Sequence, residues 1–187
     1  MLRELPNGEW NSGESEAHRV VRDAMPQGVV WQDGAGIIVD ANPAAQSILG
    51  LTLDEMRGRS SADPRWKAIH EDGSEFPGRT HPAMLALETG EEVRNVVMGV
   101  VDPRRDEVRW ISADAVPFFG GSPARPTSVV TVFSDITDRK EVEHERDVLL
   151  DVLSLVGAPN SVPELLQRVI SRIREWSGCE AVGIRLR

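Results

Sequence analysis

Four histidines, one cysteine and thirty acidic residues are the side chains of this 187-residue chain that could carry proton transfer, nucleophilic attack or metal binding. Their spacing argues against each in turn. Glu143-His144-Glu145-Arg146 puts a histidine, an acid and a base in the order found around a phosphoaccepting histidine, but Asp147-Val148 follows where a Thr-Pro or Asn-Pro pair is needed. No ATP-binding motif lies downstream, so His144 reads as a solvated helix residue. Gly34 and Gly36 begin like a dinucleotide-binding loop, yet Val39 stands at the third glycine position and no helix opens there. No His-Glu-x-x-His, Gly-x-Ser-x-Gly or phosphate-loop sequence occurs. The lone Cys179 excludes an internal disulfide and a cysteine zinc cluster, in keeping with a reducing compartment. Catalysis has no visible seat, and the segment is expected not to be an enzyme.

The remaining sequence reads as elements that could hold a site of another kind. Residues 1–13 are polar, with Pro and Gly and no periodicity, and read as a disordered tail. Glu14 to Met25 places Ala17, Val20, Val21 and Ala24 at helical spacing, and Pro26 stops it. Asp33-Gly34 and Ala35-Gly36 then supply a turn between Val29-Val30-Trp31 and Ile37-Ile38-Val39, the pattern of a hairpin. Asn42 caps a helix with Pro43 in its first turn and Gly50 as its stop, and a short helix follows over Thr52 to Gly58. Ser60 to Thr80 is rich in Asp, Gly and Pro and is expected to wrap the domain as turns and short helices. The next helix, with Thr80 or His81 at its cap, ends at Gly90. Three strands close the domain, over 93–101, 107–116 and 128–135. Two strands, helices and three antiparallel strands predict an α+β domain, a five-stranded antiparallel sheet with helices on one face.

The run from Ile37 through Asn42-Pro43-Ala44-Ala45 to Ile48-Leu49-Gly50, with Ser134-Asp135-Ile136-Thr137 at the far end of the sheet, resembles a PAS (S-box) sensory domain. The resemblance covers residues 14–138, with residues up to Met25 as an N-terminal flanking helix. It implies a pocket between helices and sheet, for which Trp66, Ile69, His81, Met84, Leu85, Val97, Met98, Trp110 and Phe133 are the candidate walls. PAS pockets take haem, flavin, organic acids or apolar molecules. Photoactive flavin adducts need a cysteine in the domain, and Cys179 lies outside it. Haem needs an axial ligand, for which His81 is the one nearby candidate. A small apolar or aromatic ligand is the favoured expectation, because no basic cluster waits for a carboxylate. The resemblance further implies that Asp135 and Thr137 relay a signal into the exit helix.

Residues 139–160 read as that signalling linker helix. Val142, Leu149, Leu153 and Val156 fall at 3/4 spacing, with Val148, Val152 and Leu155 widening the stripe and Arg146 interrupting it. Such a stripe needs a partner surface, and a homodimer is expected. Ser161 and Glu164 form a capping box for a further helix, and the stretch after Cys179 alternates like a strand. Residues 161–187 thus resemble the incomplete start of a GAF domain. The chain is therefore expected to be the sensory piece of a larger protein, by analogy a two-component sensor histidine kinase in a phosphorelay, or a diguanylate cyclase. The alternative is a ligand-free PAS module for dimerisation or protein docking. Net charge of −9 and a pI near 5.0 argue against nucleic-acid binding. No apolar run approaches a membrane span and no signal peptide is visible, so a cytoplasmic location is expected.

Overall fold

The computed structural model describes residues 16–61, 63, 66–102, 105, 107–121, 125–156 and 170–171. These residues divide into two compact units, one ending at Thr137 and the other beginning at Asp138. The expected tail and the GAF-like stretch, apart from Ile170 and Ser171 for the latter, lie outside the described residues.

In the first unit, α1 (Glu16–Ala24) leads into β1 (Gly28–Asp33) and β2 (Ile38–Ala41). The hairpin turn is built by Asp33, whose Oδ1 accepts from the amides of Ala35 and Ile37, each at 2.9 Å, while Gly36 takes φ 78°. A side chain at Gly36 would be strained there and would also meet Met84, whose sulfur lies 2.6 Å from the position of an added Cβ. Two helices follow, α2 (Pro43–Leu49) and α3 (Leu53–Met56).

Asn42, wholly buried, does more than cap α2. Its Oδ1 accepts from the amides of Ala45 and Val29, and its Nδ2 donates to the carbonyls of Gln27 and Arg22. One carboxamide thereby joins the end of α1, the start of β1 and the first turn of α2. At the far end of α2, Gly50 adopts the left-handed conformation, and Thr52 forms a reciprocal capping box with Glu55 to start α3.

The segment expected as turns and short helices contains a two-residue strand, β3 (Ala68–Ile69), and a 3₁₀ turn at Gly78–Thr80. Then come α4 (Pro82–Thr89), β4 (Val93–Asp102), β5 (Glu107–Phe118) and β6 (Ser128–Asp135). The sheet is antiparallel throughout, with strand order β2-β1-β6-β5-β4-β3. It has six strands where the sequence led to an expectation of five. The extra one pairs Ala68 with Val100 and Ile69 with Gly99, too short a stretch to show alternation of its own.

Helices α2, α3 and α4 cover one face. Val30, Ile38, Ile48, Met56, Met98, Ile111 and Phe133 belong to the main core beneath them, each buried side chain of this size contributing about 2 kcal/mol. A second cluster is made of small residues: Ala83 and Ala86 of α4 meet Ala115 and Val129 of the sheet. At Asn95, φ 56°, β4 bulges, so that Val93 and Val96 both find partners on β5 at Ala115 and Ala113. The opposite sheet face carries Trp31, where the guanidinium of Arg22 sits 5.6 Å from the ring centroid and bonds Asp40 at 2.8 Å.

The helix α5 (Thr137–Val156), in the second unit from Asp138 onward, leaves Val142, Leu149, Leu150 and Leu153 more than half exposed, at 64, 57, 54 and 56%. Among the described residues, no helix is long and apolar enough to cross a membrane.

Candidate functional site

A cavity of about 90 Å³ lies between the helix-covered face of the sheet, the loop before β3 and the start of α4. Its walls follow strand periodicity. Each of four strands supplies two residues two positions apart: Val30 and Gln32 from β1, Met98 and Val100 from β4, Ile111 and Ala113 from β5, Thr131 and Phe133 from β6. Ser61, Trp66 and Ala68 close one side, and His81, Pro82 and Ala83 close another.

Four of the expected wall residues, Trp66, His81, Met98 and Phe133, meet at this cavity. The others stand elsewhere. Val97 pairs with Ser112, one step out of phase with Met98 and Ile111, so Val97 lies on the opposite face; Trp110 pairs with Gly99 on that same face. Ile69 also faces Gly99, its Cγ1 lying 2.8 Å from where a Cβ there would stand. Met84 packs over Gly36, and Leu85 is half-buried on α4 without reaching the cavity.

The polar groups of the wall are of two kinds. Gln32, 2% exposed, spends its Nε2 on Gly36 O at 2.8 Å and Ser61 Oγ at 3.0 Å. By contrast, Trp66 Nε1 and Thr131 Oγ1 are buried with no hydrogen-bond partner among the described residues. Buried polar atoms are nearly always paired, so these two mark where chemistry is expected. Gln32 and Thr131 are not among the wall residues expected from sequence; their signal there is parity with Val30 and Phe133.

His81 is buried, and burial lowers its pKa, opposed by a bond between its Nε2 and the carbonyl of Phe76 at 3.3 Å. The imidazole is thus neutral near pH 7 with its proton on Nε2, the ring held against Phe76, centroids 5.3 Å apart. Its side chain does not cap α4. The haem expectation fits poorly here: Nε2 is committed to a carbonyl, and the cavity is well below the ~300 Å³ at which drug-sized ligand sites begin. Flavin meets the same limit of size. Among the described residues no cluster of His, Cys, Asp or Glu could hold a metal.

At the end of the sheet, Asp135 Oδ1 accepts from the Thr137 amide at 2.9 Å and its hydroxyl at 2.6 Å, while Oδ2 takes Arg109 at 3.1 Å. Burial raises the Asp135 pKa, but the bonds from Thr137 and Arg109 together outweigh it and hold the carboxyl below its usual range. Thr137 Oγ1 also accepts from the amide of Trp110 at 3.0 Å, and the amide of Ile136 donates to the Trp110 carbonyl at 2.8 Å.

An antiparallel sheet with helices folded over one face is an α+β architecture. A family model described as PAS fold matches residues 17–136, and the chain belongs to that family. Among solved structures, the PAS domain of a protein from Colwellia psychrerythraea is 17% identical with a TM-score of 0.50, covering 65% of this chain and 96% of that one. An RNA-binding light-oxygen-voltage receptor is 17% identical at a TM-score of 0.55, over 80% of this chain and 42% of its own. A domain of a sensory box sensor histidine kinase/response regulator from Geobacter sulfurreducens is 18% identical, TM-score 0.47, over 65% and 93%. At such identities the likeness is one of fold. No curated protein matches the sequence.

Proposed function

We propose that this chain is the sensory segment of a larger signalling protein, in which a small ligand in the cavity alters how the Asp135–Thr137 junction holds the exit helix. One observation supports this reading above others: β5 and β6 carry both the cavity wall and the junction. Ile111 adjoins Trp110 in sequence, and Phe133 stands two residues before Asp135. A change in strand position at the cavity is felt at the junction within a few ångströms of chain. The exposed stripe of α5 supports relay through a homodimer, since apolar surface of that extent on a helix calls for a partner. A two-component sensor kinase is the output this reading favours, and a cytoplasmic location goes with it.

Two measurements test the proposal. Amide spectra of the chain titrated with small neutral organic compounds should show saturable shifts at cavity residues and at residues 135–137 together. Shifts confined to the cavity would refute the relay. Sedimentation should give a dimer that Leu149→Ser with Leu153→Ser converts to monomer; a dimer that binds none of the titrated compounds would favour the docking alternative, to which the same stripe lends support.

A further inference from the structure

We infer that the cavity selects small neutral carbonyl compounds, a conclusion that rests on the ligand-sensing reading above and narrows it. Three features of the wall carry it. First, charge is absent: among the described residues His81 is the single titratable side chain lining the cavity, it is neutral, and no described Lys or Arg joins it to receive an anion. Second, the space is small. At about 90 Å³ it falls below the ~150 Å³ of an engineered apolar cavity that accepts benzene, so a ring of five atoms or a short branched chain is the upper size.

Third, the unpaired polar atoms set the chemistry. Trp66 Nε1 can only donate, and Thr131 Oγ1 carries one hydrogen to donate as well. Gln32 spends both Nε2 hydrogens on Gly36 O and Ser61 Oγ, which leaves Trp66 and Thr131 as the unpaired groups among the described residues of the wall. A ligand hydroxyl that accepted from both Trp66 and Thr131 would bring a hydrogen of its own that neither donor takes. A carbonyl oxygen has two lone pairs and no hydrogen, and so accepts from both. The remaining wall, Ile38, Met98, Val100, Ile111 and Phe133, suits the hydrocarbon part of such a molecule.

The test uses four probes of one ring size: cyclopentanone, cyclopentanol, cyclopentane and cyclopentanecarboxylate. Binding is read from the indole N–H resonance of Trp66, assigned by its loss in Trp66→Phe. Cyclopentanone should shift that resonance saturably and bind about tenfold more tightly than cyclopentane, with the carboxylate weakest. Thr131→Val, which keeps the shape, should weaken cyclopentanone about tenfold and leave cyclopentane unchanged. Equal affinity for cyclopentane or cyclopentanol, or tighter carboxylate binding, overturns the carbonyl assignment while leaving ligand sensing intact. Failure of all four probes to bind overturns both.

Discussion

Thr137 and Asp135 are bound to one another twice, through the hydroxyl and the amide of the threonine, and the pair is tied to β5 through Arg109 and the Trp110 amide. The first residue of α5 is therefore fixed to two strands before the helix begins to turn. Thr137→Val removes the hydroxyl that both accepts and donates. The expected cost is about 2 kcal/mol, with faster hydrogen exchange at Trp110 and Ile136. Unaltered exchange at those two amides would show that the junction does not depend on the hydroxyl.

Asn42 offers a sharper stability test, because four bonds to three segments converge on one buried group. Asn42→Ala leaves two amides and two carbonyls to find other partners. The loss should be about 3 kcal/mol, seen as a fall of about 10 °C in Tm. Asn42→Asp should recover the two bonds made by Oδ1 and lose the two made by Nδ2, giving an intermediate Tm.

Gly28 lies directly opposite Phe133 across the β1–β6 pair, and a Cβ there would fall 2.4 Å from ring carbons Cε2 and Cζ. Gly28→Ala must turn that ring, which is part of the cavity wall. Destabilisation of about 2 kcal/mol is expected, together with weaker probe binding. Phe133→Leu added to Gly28→Ala should restore much of the stability, measurable by urea denaturation.

His81 gives a pH dependence whose sign follows from burial. Its pKa in the fold is lowered from 6.5, so below that pH the unfolded chain binds a proton that the folded chain resists. The stability that neutral His81 contributes is present above pH 6.5 and is lost as pH falls through the folded value. Denaturation midpoints should fall between about pH 7 and about pH 5, and His81→Gln should flatten that slope. The depressed Asp135 acts only at lower pH, near and below 3.8, and so does not confuse the window.

What could be read from sequence was what depends on neighbours a few residues apart. The Asp33 turn, the Asn42 cap, the Gly50 stop and the Asp135-Ile136-Thr137 close each express a local hydrogen bond or a backbone conformation. The faces of the strands were harder. Val96, Val97, Val100 and Val101 are apolar on both sides of β4, so alternation offered no contrast, and the bulge at Asn95 shifts the phase without announcing itself. For that reason the face expected for Val97 is opposite to the one it occupies, whereas on β5 the buried Ile111, Ala113 and Ala115 do alternate with Trp110, Ser112 and Asp114 and mark Trp110 as facing away from the cavity. Two-residue β3 shows only in its pairing with β4, a relation set by residues some thirty positions away.

The alanine seam between α4 and the sheet has its own consequence. Ala86 and Ala115, wholly buried and outside the cavity wall, set how closely α4 approaches, and α4 begins with Pro82 and Ala83, which are part of that wall. The headroom over a bound molecule is thus governed by a spacer it never touches. A swap of one methyl group in that spacer would raise or lower the ceiling, and relatives of this chain could retune which molecules fit while every contacting side chain stayed the same.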